Sequence, residues 1–275
     1  MIKKVKKSLA VLGPKDTFSD IAAHKYSADA EICYTHDVEE IFELVAKGKV
    51  KQGIVPIENK LHGTVRETLD YLFHKKVHVT GEISIPVHHS LVIMPNAKKN
   101  DIKHVLSHSQ PLSQCKKYLR KNFPKAELQA LSSTAAAIEK LLRTRNKCVA
   151  VIASEIAAKN SNLKTFAKNI EDEKGNETTF VVVEKGDYKP LKSDQKNSTK
   201  TSIAFHFSAD APGSLFSVLK IFADARINLT KIESRPIQKK FKDYIFYLDF
   251  EGLPKKSILK KVGKQVRALK ILGSY

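Results

Sequence analysis

Hydroxyl side chains stand at three positions where a predicted strand leads into a predicted helix. The three junctions are Thr17-Phe18-Ser19, Ser107-His108-Ser109-Gln110 and Ser132-Ser133-Thr134. Ser and Thr are common at the start of a helix because their side-chain oxygen accepts a hydrogen bond from a free backbone N–H. A helix N-terminus also attracts anions through its unpaired N–H groups and its dipole. One junction alone could be only a helix cap, whereas three in one region indicate a carboxylate site that needs no metal.

The histidines and cysteines show no spacing typical of a metal site. Four histidines invite a histidine mechanism: His62, His88, His89 and His108. None has a carboxylate partner at metal-ligand spacing, so we expect them to be structural or exposed. The cysteines are Cys33, Cys115 and Cys148, an odd and scattered set that indicates reduced thiols in a cytoplasm. Cys115 is expected to be a packed, inert thiol. The sequence therefore predicts no metal and no cofactor.

The net charge of +19 is the one unusual bulk property of this 275-residue chain. Its lysines are scattered, and its Phe and Tyr residues do not interleave with basic residues as they do in nucleic-acid binders. We therefore predict a solvated basic surface without a nucleic-acid partner, which would still steer in an anionic substrate. No apolar run reaches the roughly 20 residues of a membrane span. The basic start at residues 1–7 leads into a short strand instead of a signal core, so no membrane partner is predicted.

Predicted strands and helices alternate along the first two thirds of the chain. The predicted strands are 9–12, 53–57, 91–94, 104–107, 149–152 and 179–184, and the predicted helices are one from 19, then 38–47, 65–73, 111–122 and 134–142. Such alternation is typical of α/β folds. Short helices with short connections favour two small doubly wound lobes, with a cleft between them in which a ligand can bind.

Residues 201–275 follow a different order. They are predicted as strand 201–207, helix 213–225, strand 229–235, strand 243–250, helix 255–263 and strand 267–272. This βαββαβ order is typical of a ferredoxin-like unit, in which a four-stranded antiparallel sheet packs under two helices. A polar segment with Gly and Pro precedes it. The sequence predicts a domain at 1–186, a linker at 187–200 and a second domain at 201–275.

Motifs in both domains resemble a known family. In order they are Gly13-Pro14-Lys15-Asp16-Thr17-Phe18-Ser19, Val55-Pro56-Ile57-Glu58-Asn59, Gly63-Thr64-Val65 with Thr68-Leu69-Asp70, Ser107-His108-Ser109-Gln110, Ser133-Thr134-Ala135-Ala136, Asn176-Glu177-Thr178-Thr179-Phe180, Gly213-Ser214-Leu215 and Glu233-Ser234-Arg235-Pro236. They resemble prephenate dehydratase followed by a phenylalanine-binding ACT domain, over nearly the whole chain. The resemblance implies an α/β catalytic region of two lobes, similar to a periplasmic binding protein, with the active site between the lobes.

The resemblance implies a cytoplasmic lyase that converts prephenate to phenylpyruvate for phenylalanine synthesis, with phenylalanine as allosteric effector. Loss of carbon dioxide and hydroxide aromatises the ring, so the enzyme needs only to orient the dianion and supply an acid. The family's Thr-Arg-Phe motif assigns the acid to Thr178. The implied substrate-binding residues are Thr17, Ser19, Glu58, Asn59, Lys60, Ser107, Gln110, Ser133, Thr134, Thr179 and Phe180, and the implied effector-binding residues are Gly213, Ser214, Leu215, Glu233, Ser234, Arg235 and Pro236.

Four positions depart from the family pattern. Asp16 stands in place of a Gly, Lys60 of a Ser, Ser109 of a Pro, and Thr179 of the Arg in the Thr-Arg-Phe motif. Losing a bidentate guanidinium is expected to weaken dicarboxylate binding by roughly 1.5–3 kcal/mol. We hypothesise that Lys60 supplies the missing cation from the same cleft, the alternative being a lysine that points to solvent. Asp16 adds a negative charge near a site for anions.

Three interpretations of the function stay open on the sequence. The first is a phenylalanine-regulated prephenate dehydratase without a chorismate mutase segment before Leu9, favoured because most catalytic-region motifs are present. The second is an arogenate dehydratase, whose substrate differs only by an amino group. The third is a non-catalytic phenylalanine-binding protein that has lost the Arg at position 179. An effector site built from two subunits implies a homodimer or a homotetramer.

Overall fold

Apolar strands alternate with amphipathic helices along most of the chain. The computed structural model describes residues 8–190, 199–208, 211–237, 244–253 and 255–275. The strands are β1 (Ser8–Leu12), β2 (Glu31–Thr35), β3 (Gln52–Asn59), β4 (Gly63–Thr64), β5 (Val77–Pro86), β6 (Ser90–Ile93), β7 (His104–His108), β8 (Glu127–Leu131), β9 (Val149–Ala153), β10 (Lys164–Ala167), β11 (Glu177–Lys185), β12 (Lys200–His206), β13 (Leu229–Pro236), β14 (Tyr244–Glu251) and β15 (Ala268–Ser274). The helices are α1 (Phe18–Tyr26), α2 (Val38–Lys47), α3 (Arg66–His74), α4 (Ser109–Gln114), α5 (Lys116–Asn122), α6 (Thr134–Thr144), α7 (Glu155–Asn160), α8 (Ser214–Asp224) and α9 (Lys256–Gln265). Within these ranges, no helix is long and apolar enough to cross a membrane.

The first lobe is built on a mixed sheet with two buried faces. β1 lies between the parallel strands β2 and β3, and β11 runs antiparallel between β3 and β5. Val and Ile dominate its central strands because β-branched side chains suit a sheet that is covered on both sides. One face packs against α1 through Ile54 and Phe180, and the other packs against α2 and α3 through Phe42 and Leu72.

The second lobe is a five-stranded sheet in the order β10-β6-β9-β7-β8. α4 and α5 cover one face, and α6 and α7 cover the other. The chain enters this lobe after β5 and leaves it after β10, and the two connecting segments lie side by side. Val87 donates its N–H to the carbonyl of Asn176, and Ile170 donates to the carbonyl of His89, both at 2.9 Å. The two crossings join the lobes on one side and leave a cleft between them, so the predicted two-lobed α/β architecture is confirmed.

The C-terminal unit has the predicted βαββαβ order. Its antiparallel strands lie in the order β13-β14-β12-β15, and α8 and α9 cover one face around Phe205, Phe222 and Phe250. β15 also pairs in parallel with β5 at Gly273 and Val79, so this sheet continues into the sheet of the first lobe. Most of the predicted linker, at 191–198, lies outside the described residues. The basic residues 1–7 lie outside them too, and so does residue 243, with which one predicted strand begins.

The sequence predicts one helix over 111–122, and this prediction is wrong. The structure has α4 and α5 instead, with a break at Cys115, whose φ and ψ are −111° and 16°. The N–H groups of Lys117 and Tyr118 donate to the carboxylate of Asp172 at 2.8 and 3.1 Å. A carboxylate from the segment that returns to the first lobe therefore caps α5, and local sequence cannot reveal such a contact. The sequence analysis did not predict β8, a five-residue strand whose side chains are mostly exposed.

Polar contacts fix the C-terminal unit on α3 of the first lobe. Arg235 of β13 pairs with Asp70, with 2.6 Å between Nη2 and Oδ2. The Tyr247 hydroxyl donates to the carbonyl of Leu69 at 3.0 Å. Lys270 donates from Nζ to backbone carbonyls at the end of α3, where unpaired carbonyls attract cations. The C-terminal unit is thus docked by side chains that reach the same helix from three strands.

The Arg235 to Asp70 pair is expected to stabilise this docking measurably. The two side chains are 17% and 22% exposed. Replacing Arg235 with Met should lower the free energy of unfolding by about 1–2 kcal/mol, because Asp70 would stay mostly buried without its cation. Urea unfolding measures the change, and adding Asp70→Asn to the same chain should recover part of it. Unchanged stability of the single variant would show that the pair contributes nothing.

Candidate active site

The cleft between the lobes contains a cavity of about 370 Å³. Its wall carries many of the residues that the sequence predicted for substrate binding: Thr17, Ser19, Asn59, Gln110, Ser133, Thr134, Thr178 and Phe180. Apolar side chains, such as Leu12, Val65 and Val87, fill much of the remaining wall. Among the described residues that line it, none is a lysine or an arginine. The cavity therefore offers hydroxyls, amides and helix N-termini to an anion instead of side-chain cations.

Thr178 and Asn59 meet across the neighbouring strands β11 and β3. The amide Nδ2 of Asn59 donates to Oγ1 of Thr178 at 2.8 Å. The amide oxygen of Asn59 accepts from the backbone N–H groups of Leu61 and His62 at 3.1 and 3.2 Å, which fixes the orientation of the amide. Because the Thr178 oxygen already accepts a hydrogen bond, its own proton is free to be donated into the cavity.

A β-bulge in β3 decides which side chains reach the cavity. Thr178 pairs with Asn59 and Thr179 with Glu58, but the next residue of β11 pairs with Pro56. One extra residue in β3 therefore interrupts the pairing. Side chains of a regular strand alternate between its two faces, and Pro56 lines the cavity. Without the bulge, Glu58 would therefore be on the cavity side of β3, whereas the bulge places Asn59 there. The bulge thus creates the contact between Asn59 and Thr178.

Glu58, Lys60 and Thr179 were expected at the substrate, but they lie outside the cavity wall. Glu58 pairs with Lys231 of β13 at 2.6 Å. The Thr179 hydroxyl lies 3.0 Å from that of Ser84, on the face of β11 opposite Thr178. Lys60 is exposed. The structure therefore does not bring these three residues to the cavity wall, and the hypothesis that Lys60 replaces the Arg missing at 179 stays a prediction.

All three predicted helix starts line the cavity, but only two have the predicted cap. The hydroxyls of Thr17 and Ser133 cap α1 and α6. At the third junction, Nδ1 of His108 caps α4. Ser107 is fully buried in β7 and donates to the carbonyl of Ile152 at 2.8 Å. The hydroxyl of Ser107 is thus used inside the second lobe, and Ser107 does not line the cavity.

Gln114 and His89 are cavity residues that the sequence analysis missed. The amide oxygen of Gln114 lies 2.6 Å from Nε2 of His89, and its amide nitrogen lies 2.8 Å from Nε2 of His62 in the first lobe. An amide oxygen only accepts, so neutral His89 carries its proton on Nε2. Its buried Nδ1 is then an acceptor without a partner among the described residues. Gln114 lies four residues after Gln110, a helical spacing that could have identified it.

Burial lowers the pKa of His89, which is 2% exposed. An unfolded histidine binds a proton near pH 6.5, whereas folded His89 stays neutral to lower pH. Below about pH 6.5 the unfolded chain therefore binds more protons than the folded one, and stability falls as the pH falls. His89 also packs edge to face against Phe18 at the start of α1, with 6.1 Å between ring centroids. The histidine is thus a fixed, neutral part of the cavity wall.

The His89→Gln variant is expected to lose this part of the pH dependence. In the wild type, His89 should contribute at most about 1.4 kcal/mol per pH unit to the fall in stability below pH 6.5. The amide of the His89→Gln side chain can still donate a hydrogen bond to the amide oxygen of Gln114, but it does not bind a proton in this pH range. Urea midpoints at several pH values between 5 and 8 measure both slopes, and equal slopes would contradict the assignment.

The predicted effector residues belong to two neighbouring elements of the C-terminal unit. Gly213 precedes α8, which begins with Ser214 and Leu215, and β13 ends with Glu233, Ser234, Arg235 and Pro236. The φ of Gly213 is 87°, in the left-handed region that favours glycine. Glu233 accepts from the Thr64 hydroxyl at 2.5 Å and Arg235 pairs with Asp70, so both are held by the first lobe of the same chain. Ser234 and Pro236, on the other face of β13, are exposed.

Cys115 takes no part in the cavity. It is buried behind α4, and burial raises the pKa of its thiol, which therefore stays neutral and packed as the sequence predicts. Within the described part of the chain, no three His, Cys, Asp or Glu side chains are grouped as they would be to hold a metal ion.

Two family models match the chain. The model described as prephenate dehydratase matches residues 9–188, and the model described as ACT domain matches residues 201–266. Each match coincides with one part of the structure, the two lobes in the first case and the C-terminal unit in the second.

Individual relatives match over nearly the full chain. A prephenate dehydratase of Methanocaldococcus jannaschii is 38% identical over 269 residues, which are 95% of this chain and 95% of the relative. An arogenate dehydratase/prephenate dehydratase of Arabidopsis thaliana is 34% identical over 97% of this chain and 72% of the relative. The crystal structure of an Arthrobacter aurescens prephenate dehydratase in complex with L-Phe has a TM-score of 0.87 and 29% identity, covering 98% of this chain and 89% of that chain.

Proposed function

The chain belongs to the prephenate dehydratase family and carries an ACT domain, and we propose that its cleft converts prephenate to phenylpyruvate. The observation that carries this proposal is the hydrogen bond from Asn59 to Thr178 at 2.8 Å. It leaves the Thr178 proton as a donor on the wall of a cavity that is otherwise suited to an anion with an apolar ring. The proposed activity is that of a carbon-oxygen lyase.

Thr178 is proposed to assist the departure of the ring hydroxyl. The bond from the ring to its carboxylate breaks, carbon dioxide leaves, and the electron pair enters the ring. The carbon-oxygen bond on the opposite side of the ring breaks, and the leaving hydroxide takes the Thr178 proton to become water. Thr178 then regains a proton from solvent. Such a positioned acid contributes roughly 10²–10⁴-fold to a rate, and aromatisation supplies the driving force.

The helix starts are proposed to hold the two carboxylates of prephenate. Ser19 near the start of α1, and Ser133 and Thr134 at the start of α6, line the cavity. Their backbone N–H groups and hydroxyls can donate to carboxylates, and the helix dipoles add to the attraction. Gln110 and the edge of the Phe180 ring complete the proposed contacts. The substrate needs no side-chain cation in this arrangement.

Phenylalanine is proposed to bind at the start of α8 and the exposed face of β13, where it regulates turnover. The supporting observations are Gly213 in its left-handed conformation, exposed Ser234, and the L-Phe bound in the Arthrobacter relative. β13 is an edge strand of the sheet, and Ile232 on β13 and Phe216 on α8 are 49% and 68% exposed. Exposed apolar side chains at a sheet edge favour contact with a second copy, so a homodimer or homotetramer is proposed.

The domain boundaries remain those proposed from the sequence, with the catalytic domain at 1–186, a linker at 187–200 and the ACT domain at 201–275. The ranges of the two family models, 9–188 and 201–266, support them. A cytoplasmic location remains a prediction from the cysteine pattern and the biosynthetic role.

Two measurements on the purified chain test this function. Prephenate at neutral pH should yield phenylpyruvate, followed by absorbance in alkali, and phenylalanine should change the rate. Millimolar phenylalanine should also raise the melting temperature, because a ligand at 100 times its Kd adds about 2.7 kcal/mol to stability. Absence of prephenate turnover with phenylalanine still bound would point to arogenate as the substrate and, if arogenate is not converted either, to the non-catalytic binding protein. A melting temperature that does not change with phenylalanine would contradict the proposed effector site.

A further inference from the structure

Asp16 brings a negative charge into the cavity that the proposed function fills with an anion. Among the described residues that line the cavity, Asp16 is the only carboxylate, and none is a lysine or an arginine. A carboxylate facing a dianion repels it, and in a partly enclosed site this repulsion is stronger than in water. A substrate that carries a positive group at this position would instead be attracted.

The Asp16 carboxylate is held firmly at the junction of the two lobes. Its φ is 67°, so the residue is in the left-handed conformation. Its N–H donates to the carboxylate of Asp20 at 2.9 Å. From the second lobe, Asn160 donates its Nδ2 to Oδ1 of Asp16 at 2.6 Å, and the Ser154 hydroxyl lies 3.5 Å from the Asp16 carbonyl. Contacts from both lobes therefore hold Asp16 in place where the lobes meet.

The surroundings of Asp16 match an α-amino acid group better than an α-keto acid group. α1 begins two residues later, and its N-terminus can accept a carboxylate beside the Asp16 charge. A carboxylate acceptor beside an anion-binding helix start matches the ammonium and the carboxylate of an α-amino acid group. A keto oxygen only accepts, so it cannot pair with the Asp16 carboxylate.

We propose that Asp16 is a specificity-determining residue that favours arogenate over prephenate in this cleft. This inference rests on the proposed dehydratase function and refines its substrate. Arogenate carries an ammonium where prephenate carries a keto oxygen, and the two acids are otherwise alike. Prephenate thus meets the Asp16 charge as a dianion, whereas arogenate presents its ammonium to it. Relatives that act on arogenate by name are among the proteins similar to this chain.

The test compares kcat/KM for the two acids in the wild type, Asp16→Asn and Asp16→Gly. The Asp16→Asn change tolerates the positive φ and keeps a side-chain oxygen that can accept from Asn160. It therefore removes the negative charge and preserves this hydrogen bond between the lobes. Gly also fits the backbone. Asp29→Asn is the matched control, because Asp29 is exposed in the turn before β2 and carries the same charge. The ratio of arogenate to prephenate kcat/KM should fall roughly tenfold in both Asp16 variants, mostly through KM, and stay constant in the control.

An unchanged ratio in both Asp16 variants would overturn the inference, and so would an equal fall in Asp29→Asn. Binding separates this outcome from a failure of the dehydratase function. The dissociation constants of both acids can be measured by calorimetry in a Thr178→Val background, with and without Asp16→Asn. A shift in their ratio supports the role of Asp16 even where no turnover occurs, and an equal ratio contradicts it.

Discussion

The Thr178→Val variant is expected to turn over prephenate roughly 10²–10⁴-fold more slowly than the wild type, through kcat. Val has the shape of Thr without the hydroxyl, so the cavity keeps its volume and loses only the proposed acid. KM should change little, because the carboxylates are proposed to bind at the helix starts on other parts of the wall. Formation of phenylpyruvate, followed by absorbance in alkali, gives both constants.

The neighbouring Thr179→Val variant is the matched control for this experiment. Thr179 lies on the opposite face of β11, where its hydroxyl contacts that of Ser84 at 3.0 Å. The same chemical change at this position should leave kcat within a few-fold of the wild type. The phenylalanine-induced rise in melting temperature should persist in both variants and show that each is folded. Equal losses of kcat at the two positions would mean that the hydroxyl of Thr178 has no special role.

The Gly273→Ala variant is expected to lower the free energy of unfolding by about 2–3 kcal/mol. A Cβ at Gly273 would lie 2.2 Å from the carbonyl oxygen of Val79 and 3.0 Å from its carbonyl carbon. These are backbone atoms of β5, which cannot move without disturbing the sheet of the first lobe. Gly273 and Val79 form the pair through which β15 joins β5. The variant should therefore loosen the ACT domain from the first lobe while the cavity stays intact.

Two readouts distinguish this loosening from general unfolding. Urea unfolding should show the loss of stability, and the turnover assay should show normal basal activity with a reduced response to phenylalanine. Gly81→Ala is the control, because Gly81 also lies in β5 but a Cβ there would meet only Cγ2 of Val182, at 3.9 Å. That variant should be close to the wild type in both assays. A Gly273→Ala protein with full stability and a full phenylalanine response would contradict the proposed role of the joined sheet.

The structure also suggests how the ACT domain can influence the cavity. Lys231 of β13 pairs with Glu58 at 2.6 Å, and Glu58 is the neighbour of Asn59, which holds the proposed acid. The strand that carries the proposed effector residues thus contacts the strand end that orients Thr178. A phenylalanine-dependent change in β13 has a short physical route to the site of chemistry, through contacts within one chain.

Much of the fold could be predicted from the sequence because its signals are local. The apolar periodicity of α2, the alternation of strands and helices, and the βαββαβ order of the last part all depend on residues close together in the chain. The caps at Thr17 and Ser133 are likewise local, since a hydroxyl bonds to an N–H three residues ahead. For the same reason, the motifs around Thr178 and Asn59 could be identified before any contact was known.

Local patterns were enough for the βαββαβ order of the C-terminal unit, the family motifs and the candidate acid, whereas the packing of distant segments sets which side chains share the cavity. Strand residues alternate between two faces, so a shift of one residue in register moves a side chain to the opposite face. The bulge in β3 makes such a shift, which brings Asn59 to Thr178 and turns Glu58 toward Lys231. The cap of α5 by Asp172 also joins segments far apart in the chain. Local patterns cannot specify these contacts, because each depends on where a second, distant segment packs.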